Sequence, residues 1–312
     1  MYAFIAKRLC SAAVTLFAVL TLIFVLVRVV PGDPAQVILG DQASAAAIAQ
    51  LRERLGLDRP ILVQYGAFLT DLASGDFGTS MVTGTPVMRE VLAVLPYTLE
   101  LAGAALLIGS ILGIPLGIWA ALNRNRPVDY WVRALSLTGL SLPAFTSGIL
   151  LLMVFAIQLQ WFPVIGAGGD SLAEHLRNLA LPALNLGLIM AAFIARVTRS
   201  SMLEVLSEDY VRTALAKGVP MRAVVMRHCL RNALIPIVTV IGLYFGVQIG
   251  NSVLTEIVFN RPGLGKLIVG ALNQRDYTML QGLIVVYACA VVTVNLLTDL
   301  TYGLIDPRVQ YR

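Results

Sequence analysis

Six stretches of roughly twenty or more mainly apolar residues recur along the 312-residue chain, at about 9–30, 97–122, 131–158, 178–199, 233–254 and 280–304. The hydrocarbon core of a bilayer is about 30 Å thick, and about twenty helical residues cross it, so every stretch is long enough to span. In lipid each backbone N–H and C=O needs an internal partner, and without a continuous alternating strand pattern only helices provide one. The expected fold class is therefore an all-α polytopic membrane protein of about six transmembrane helices. Composition agrees: 58% of residues are hydrophobic, 13% are charged and the mean hydropathy is +0.81, a balance that requires lipid as part of the solvent.

The first stretch follows Lys7 and Arg8 in the manner of a signal peptide, but it runs on into Arg28 without small residues suited to cleavage. Its length predicts a retained helix. Lys and Arg concentrate in alternate connections, among them Lys7, Arg8, Arg124, Arg126, Arg196, Arg199, Arg212, Lys217 and Arg231. The positive-inside rule places these segments, and with six spans both termini, in the cytoplasm. The reading divides the chain into 1–96, a first helix plus an extracytoplasmic segment, and 97–312, a five-helix core with an inner loop at about 200–232. Met202 to Lys217 is expected to form one helix within that loop, stopped by Gly218-Val219-Pro220.

Glycines recur every fourth residue at Gly109, Gly113 and Gly117, and again at Gly242, Gly246 and Gly250. That spacing lets helices approach closely. Pro115 and Pro143 are expected to kink or loosen their helices. Glu100 and Asp299 are the acidic residues within the predicted spans, both near helix ends, where interfacial anchoring or helix-end electrostatics accounts for them. Gln248 and Asn251 are polar residues on the fifth span and candidates to line a polar path through the helices, interhelical hydrogen bonding being the other reading.

Several function classes fall away. The net charge of +5 is scattered between apolar blocks and forms no stripe that would hold nucleic acid. Cys10, Cys229 and Cys289 have no metal-ligand spacing and read as small core residues. Gly263-Leu264-Gly265-Lys266 lacks the first glycine of a phosphate loop, because Asn260 occupies its place, and Leu267 stands where Ser or Thr is needed. His175 and His228 fall in loops with no nucleophile placed beside them, so an intramembrane protease is unsupported. An ion-coupled carrier would need a mid-membrane acidic pair, which is missing from the pattern.

The inner loop carries most information. Small residues at Thr213, Ala214 and Ala216 before Gly218 suit a short helix seated in a groove of a partner, although a membrane-surface amphipathic helix is an equal reading of the residues alone. Arg212-Thr213-Ala214, three residues, then Gly218 resembles the Glu-Ala-Ala…Gly loop of permease subunits in binding-protein-dependent ABC importers. The departure at the first two positions is similar to the variant in the dipeptide, oligopeptide and nickel branch. Pro31-Gly32-Asp33-Pro34, Leu55-Gly56-Leu57-Asp58-Arg59-Pro60, Phe259-Asn260-Arg261-Pro262-Gly263-Leu264-Gly265, Arg275-Asp276-Tyr277 and Asp306-Pro307-Arg308 extend the resemblance over nearly the whole chain.

The resemblance implies the type I importer permease fold and a plasma-membrane location. The chain would form half of a pore beside a second, homologous permease, with two ATP-binding subunits and an extracytoplasmic binding protein that delivers small peptides, or alternatively glutathione or nickel complexes. It implies no cofactor on this chain, ATP and Mg being held by the ATPase subunits. It also assigns the ATPase contact to a coupling helix containing Asp209, Tyr210, Arg212, Thr213, Ala214, Ala216, Lys217 and Gly218.

Overall fold

A computed structural model describes residues 2–29, 44–54, 56–164 and 171–305. Pro31-Gly32-Asp33-Pro34, Leu55, Asp306-Pro307-Arg308 and the side chain of Asp299 lie outside the described residues. The described chain consists of helices and turns, with an isolated antiparallel bridge between Thr79 and Pro86. In order, the helices are α1 (Tyr2–Val29), α2 (Ala45–Arg54), α3 (Ile61–Ala73), α4 (Val87–Leu122), α5 (Pro127–Ser141), α6 (Ala144–Leu151), α7 (Leu172–Leu206), α8 (Asp209–Ala216), α9 (Met221–Val258), α10 (Leu264–Asn273) and α11 (Tyr277–Ile305). Wider π-helical turns occupy Leu152–Gln158 after α6 and Val224–Cys229 inside α9.

Among the described residues, α1, α4, α7, α9 and α11 are long and apolar enough to cross a bilayer by themselves. The expected span at 131–158 is instead a pair of helices bent by 104° between Ser141 and Ala144. Pro143 causes the break: it donates no hydrogen bond and pushes the preceding Leu142 into extended backbone, with ψ at 125°. Pro115 behaves differently, since α4 continues through it without interruption. The fifth stretch also extends further than its hydropathy suggests, so Glu256 lies inside α9 and joins the acidic residues held on helices.

The chain divides into two compact units, one formed by Met1–Leu9, Tyr97–Pro262 and Thr293–Arg312, the other by Cys10–Pro96 and Gly263–Val292. In the first unit α4 lies against α7 along a glycine face. A Cβ on Gly109 would stand 2.6 Å from that of Met190, on Gly113 2.8 Å from the Ala191 carbonyl, and on Gly117 2.6 Å from the Ala195 carbonyl. Only glycine allows the backbones so close. Gly187 on α7 returns the arrangement against Ile108 of α4. On α9, Gly242 faces Thr298 and Gly246 faces Asn295, while Gly250 is exposed.

The second unit packs Val87, Val91, Leu264, Ala271, Met279 and Leu283 into its core. Asp276 fastens it. Its carboxylate caps α11 by accepting the Met279 N–H at 3.0 Å, and it also accepts the Ser80 hydroxyl at 2.5 Å and the Met81 N–H at 3.2 Å. Within the segment predicted to be extracytoplasmic, α3 lies along α1: Tyr65 bonds the Thr21 hydroxyl at 2.6 Å and its ring meets Phe24 edge-on at 5.0 Å.

Candidate coupling helix and buried ion pairs

The single helix expected from Met202 to Lys217 is divided. Ser207 ends α7, bonding the Glu204 carbonyl through its hydroxyl at 2.7 Å and so competing with the backbone ladder. Glu208 is extended, with ψ at 146°, and α8 starts afresh at Asp209. The short helix is held by its inner face. Val211 is buried in a cluster with Met202, Val224, Val225 and Cys229, and half-buried Ala214 packs against the same cluster. The widened turn at Val224–Cys229 forms part of that seat.

The opposite face is open. Asp209, Tyr210, Arg212, Thr213, Ala216, Lys217 and Gly218 are exposed, as is Leu215, which the motif did not single out. Of the residues assigned to the contact, Ala214 alone turns inward. Tyr210 accepts a hydrogen bond from the Asn232 side chain at 2.8 Å, and Arg212 pairs with Asp209 at 3.3 Å across one turn. At such exposure that pair contributes a few tenths of a kcal/mol.

Gly218 has a local explanation. Its N–H donates to the Leu215 carbonyl at 2.9 Å and the Val219 N–H donates to the Ala214 carbonyl at 3.2 Å, while Gly218 itself stands at φ +81°. These paired bonds close the C-terminus with glycine in the left-handed position. No atom stands within 4 Å of where its Cβ would be, so the backbone angle rather than space calls for glycine.

Gln248 and Asn251 separate. Gln248 is buried and donates its amide to the Leu186 carbonyl on α7 at 3.1 Å, which makes it an interhelical tie withdrawn from any surface. Asn251 is exposed.

Two ion pairs were not legible in the sequence. Arg199 of α7 grips Asp129 of α5 at 2.5 and 2.7 Å, and the same carboxylate accepts the Asn125 N–H at 2.9 Å. Pro127 and Asp129 in the first turn of α5 signal a helix start, but nothing in the sequence pairs Asp129 with a residue so distant. Glu100 has partners that the sequence did not show. Arg261 donates to one of its oxygens at 2.5 Å and the His175 ring meets the other at 2.5 Å. His175 stands in the first turn of α7, not in a loop. Glu256 is buried beside them, accepting the Thr98 hydroxyl at 2.6 Å. Burial pulls the Arg261 guanidinium below its ordinary range, while Glu100 and Glu256 push it back up.

Comparison with known proteins extends over the whole chain. The model of the family described as "Binding-protein-dependent transport system inner membrane component" matches residues 113–311, and that of its N-terminal companion, "Binding-prot-dependent transport system membrane comp, N-term", matches residues 1–102. The chain is 43% identical over 312 residues to the glutathione transport system permease protein GsiC of Salmonella paratyphi A, covering 100% of both. It is 41% identical to the dipeptide transport system permease protein DppB of Alkalihalophilus pseudofirmus, again with 100% of each covered. Among solved structures, the MetNI methionine ABC transporter in inward-facing conformation aligns at a TM-score of 0.59 and 17% identity, over 70% of this chain and 97% of the other. With its long apolar helices, the chain belongs to the inner-membrane permease components of binding-protein-dependent ABC import systems.

Proposed function

We propose that the chain forms one half of the translocation pore of an ATP-driven importer of small peptides, of two to three residues, delivered by an extracytoplasmic binding protein. Likeness to both a glutathione and a dipeptide permease at similar identity supports the small-peptide class. A second, homologous permease completes the pore, and two ATP-binding subunits supply the hydrolysis. The Lys and Arg distribution supports a cytoplasmic position for both termini and α8. On this reading residues 1–96 form the first helix with its extracytoplasmic segment, and 97–312 form the core.

One observation carries the coupling mechanism: α8 is anchored through Val211 and Ala214 while the residues of its remaining face are exposed. Docking of that face in a cleft of an ATPase subunit lets closure of the ATPase pair move α8 and, through its seat on the Val224–Cys229 turn, the base of α9. A rigid lever with two positions set by nucleotide state is what alternating access requires. Asp209, Tyr210, Arg212, Thr213, Ala216 and Lys217 make the contact, Leu215 joins them, and Gly218 sets where the helix ends. Asn251 is the candidate of its pair to line the path.

The test is Ala216→Trp in the complex co-expressed with its permease, ATPase and binding-protein partners. Ala216 is exposed, so the fold tolerates the change. Loss of ATPase recovery, or of stimulation by binding protein, with normal insertion is the expected result. Unchanged assembly and stimulation would remove α8 from the mechanism.

A further inference from the structure

A groove of about 410 Å³ in the second unit runs between α1 and α11. Ile23 and Leu26 of α1 and Leu280 and Ile284 of α11 give it apolar walls, and Tyr277 and Arg275 close one end. Ile23 and Ile284 each lie about one to two turns inside their helices, so the groove follows the membrane-spanning surface for about 10 Å. Of its walls, Leu26 is exposed, Leu280 and Ile284 are half-buried and Ile23 is buried, so the groove is open along part of its length.

Arg275 is the unusual part. It occupies the left-handed position after α10, at φ +54°, where its N–H meets the Leu272 carbonyl and the Asp276 N–H meets the Ala271 carbonyl. Glycine or asparagine is the usual occupant of such a position. A side chain is kept there at a conformational cost, and among the described residues its guanidinium makes no hydrogen bond or ion pair. It is exposed, two residues before α11 begins, and it lines the groove together with Val27 near the end of α1.

An apolar channel along the spans, ending in a cation that no described residue pairs, matches one kind of molecule. We propose that the groove holds a single membrane phospholipid, its phosphodiester on Arg275 and an acyl chain between α1 and α11. Guanidinium and phosphate pair through parallel charge-assisted hydrogen bonds, a geometry that a neutral lipid cannot reproduce. The occupant is bilayer lipid and not cargo, because the walls carry no polar group that would recognise a peptide backbone. The site does not depend on the import function, and its readout is separate from transport.

Native mass spectrometry of the full chain, purified in mild detergent, delipidated and titrated with phosphatidylethanolamine, phosphatidylglycerol or diacylglycerol of the same acyl chains, tests this. Wild type should retain one phospholipid of either head group and little diacylglycerol. Arg275→Gln should weaken both phospholipids about tenfold, the loss of a charge-assisted bond, while Arg275→Lys retains most of the binding. Ile284→Trp should lower retention by filling the groove without touching the charge. Near-ultraviolet circular dichroism checks that each variant is folded. Equal retention by Arg275→Gln, or diacylglycerol binding as well as phospholipid, would overturn the site. So would a disulfide-linked dimer through Leu280→Cys, which would put protein in the groove.

Discussion

Replacing Gly117 by alanine tests the close approach of α4 and α7. In an unobstructed helix the change stabilises by about 0.5–1 kcal/mol, because alanine loses less backbone entropy. Gly103, on the same helix, has no atom within 4 Å of its Cβ position and provides that reference. At Gly117 the new methyl would meet the Ala195 carbonyl at 2.6 Å and the Thr198 Cβ at 2.5 Å. The carbonyl belongs to the α7 backbone, so no change of rotamer relieves it, and the helices must part by about 0.8 Å to restore ordinary van der Waals contact. Overpacking of this kind costs about 1–3 kcal/mol. Set against the helix-propensity gain, Gly117→Ala should destabilise by about 1–2 kcal/mol and Gly103→Ala should stabilise by somewhat less. Unfolding of the purified chain in mixed micelles by SDS, followed by tryptophan fluorescence, measures both; Trp119 lies beside the contact in sequence. Equal effects of the same sign would refute the argument.

Asp276→Ala removes a helix cap and the anchor of the Ser80 turn together, and should cost about 2–4 kcal/mol in the same unfolding assay. Asp276→Asn should recover part of that. Asp129→Asn leaves Arg199 without its charge partner in a largely buried place and should cost about 2–3 kcal/mol, whereas a paired Asp129→Leu and Arg199→Met replacement should cost less than the single change, as measured by a double-mutant cycle. Gly218→Ala keeps the space but forces a side chain to φ +81°, so it should fray the end of α8 at a cost of about 1 kcal/mol, read as faster amide hydrogen exchange at Leu215 to Val219.

The apolar stretches made the fold class legible because lipid permits few alternatives: length and hydropathy alone nearly determine where a helix crosses. Small residues one turn apart leave a furrow whatever fills it; Gly109, Gly113 and Gly117 lie against α7, while Gly250 is exposed. Where helices end was harder to read. The third span breaks at Leu142 and Pro143 because proline restricts its neighbour as well as itself, while Pro115 sits in an unbroken helix under equal local rules. The inner loop showed its motif in sequence but not the division at Ser207 and Glu208, which follows from a serine hydroxyl satisfying a terminal carbonyl.

By itself the sequence determined that this chain spans a membrane several times, and its ordered motifs pointed to the permease branch to which it belongs. The tertiary structure decided which polar residues meet: Arg261 with Glu100 and His175, Arg199 with Asp129, Gln248 with a carbonyl of α7. It also decided which face of α8 is free and which carries the anchor at Val211. Hydropathy is a property of each residue and accumulates along the chain. Charge pairing and burial are properties of distant residues brought together, and only packing fixes them.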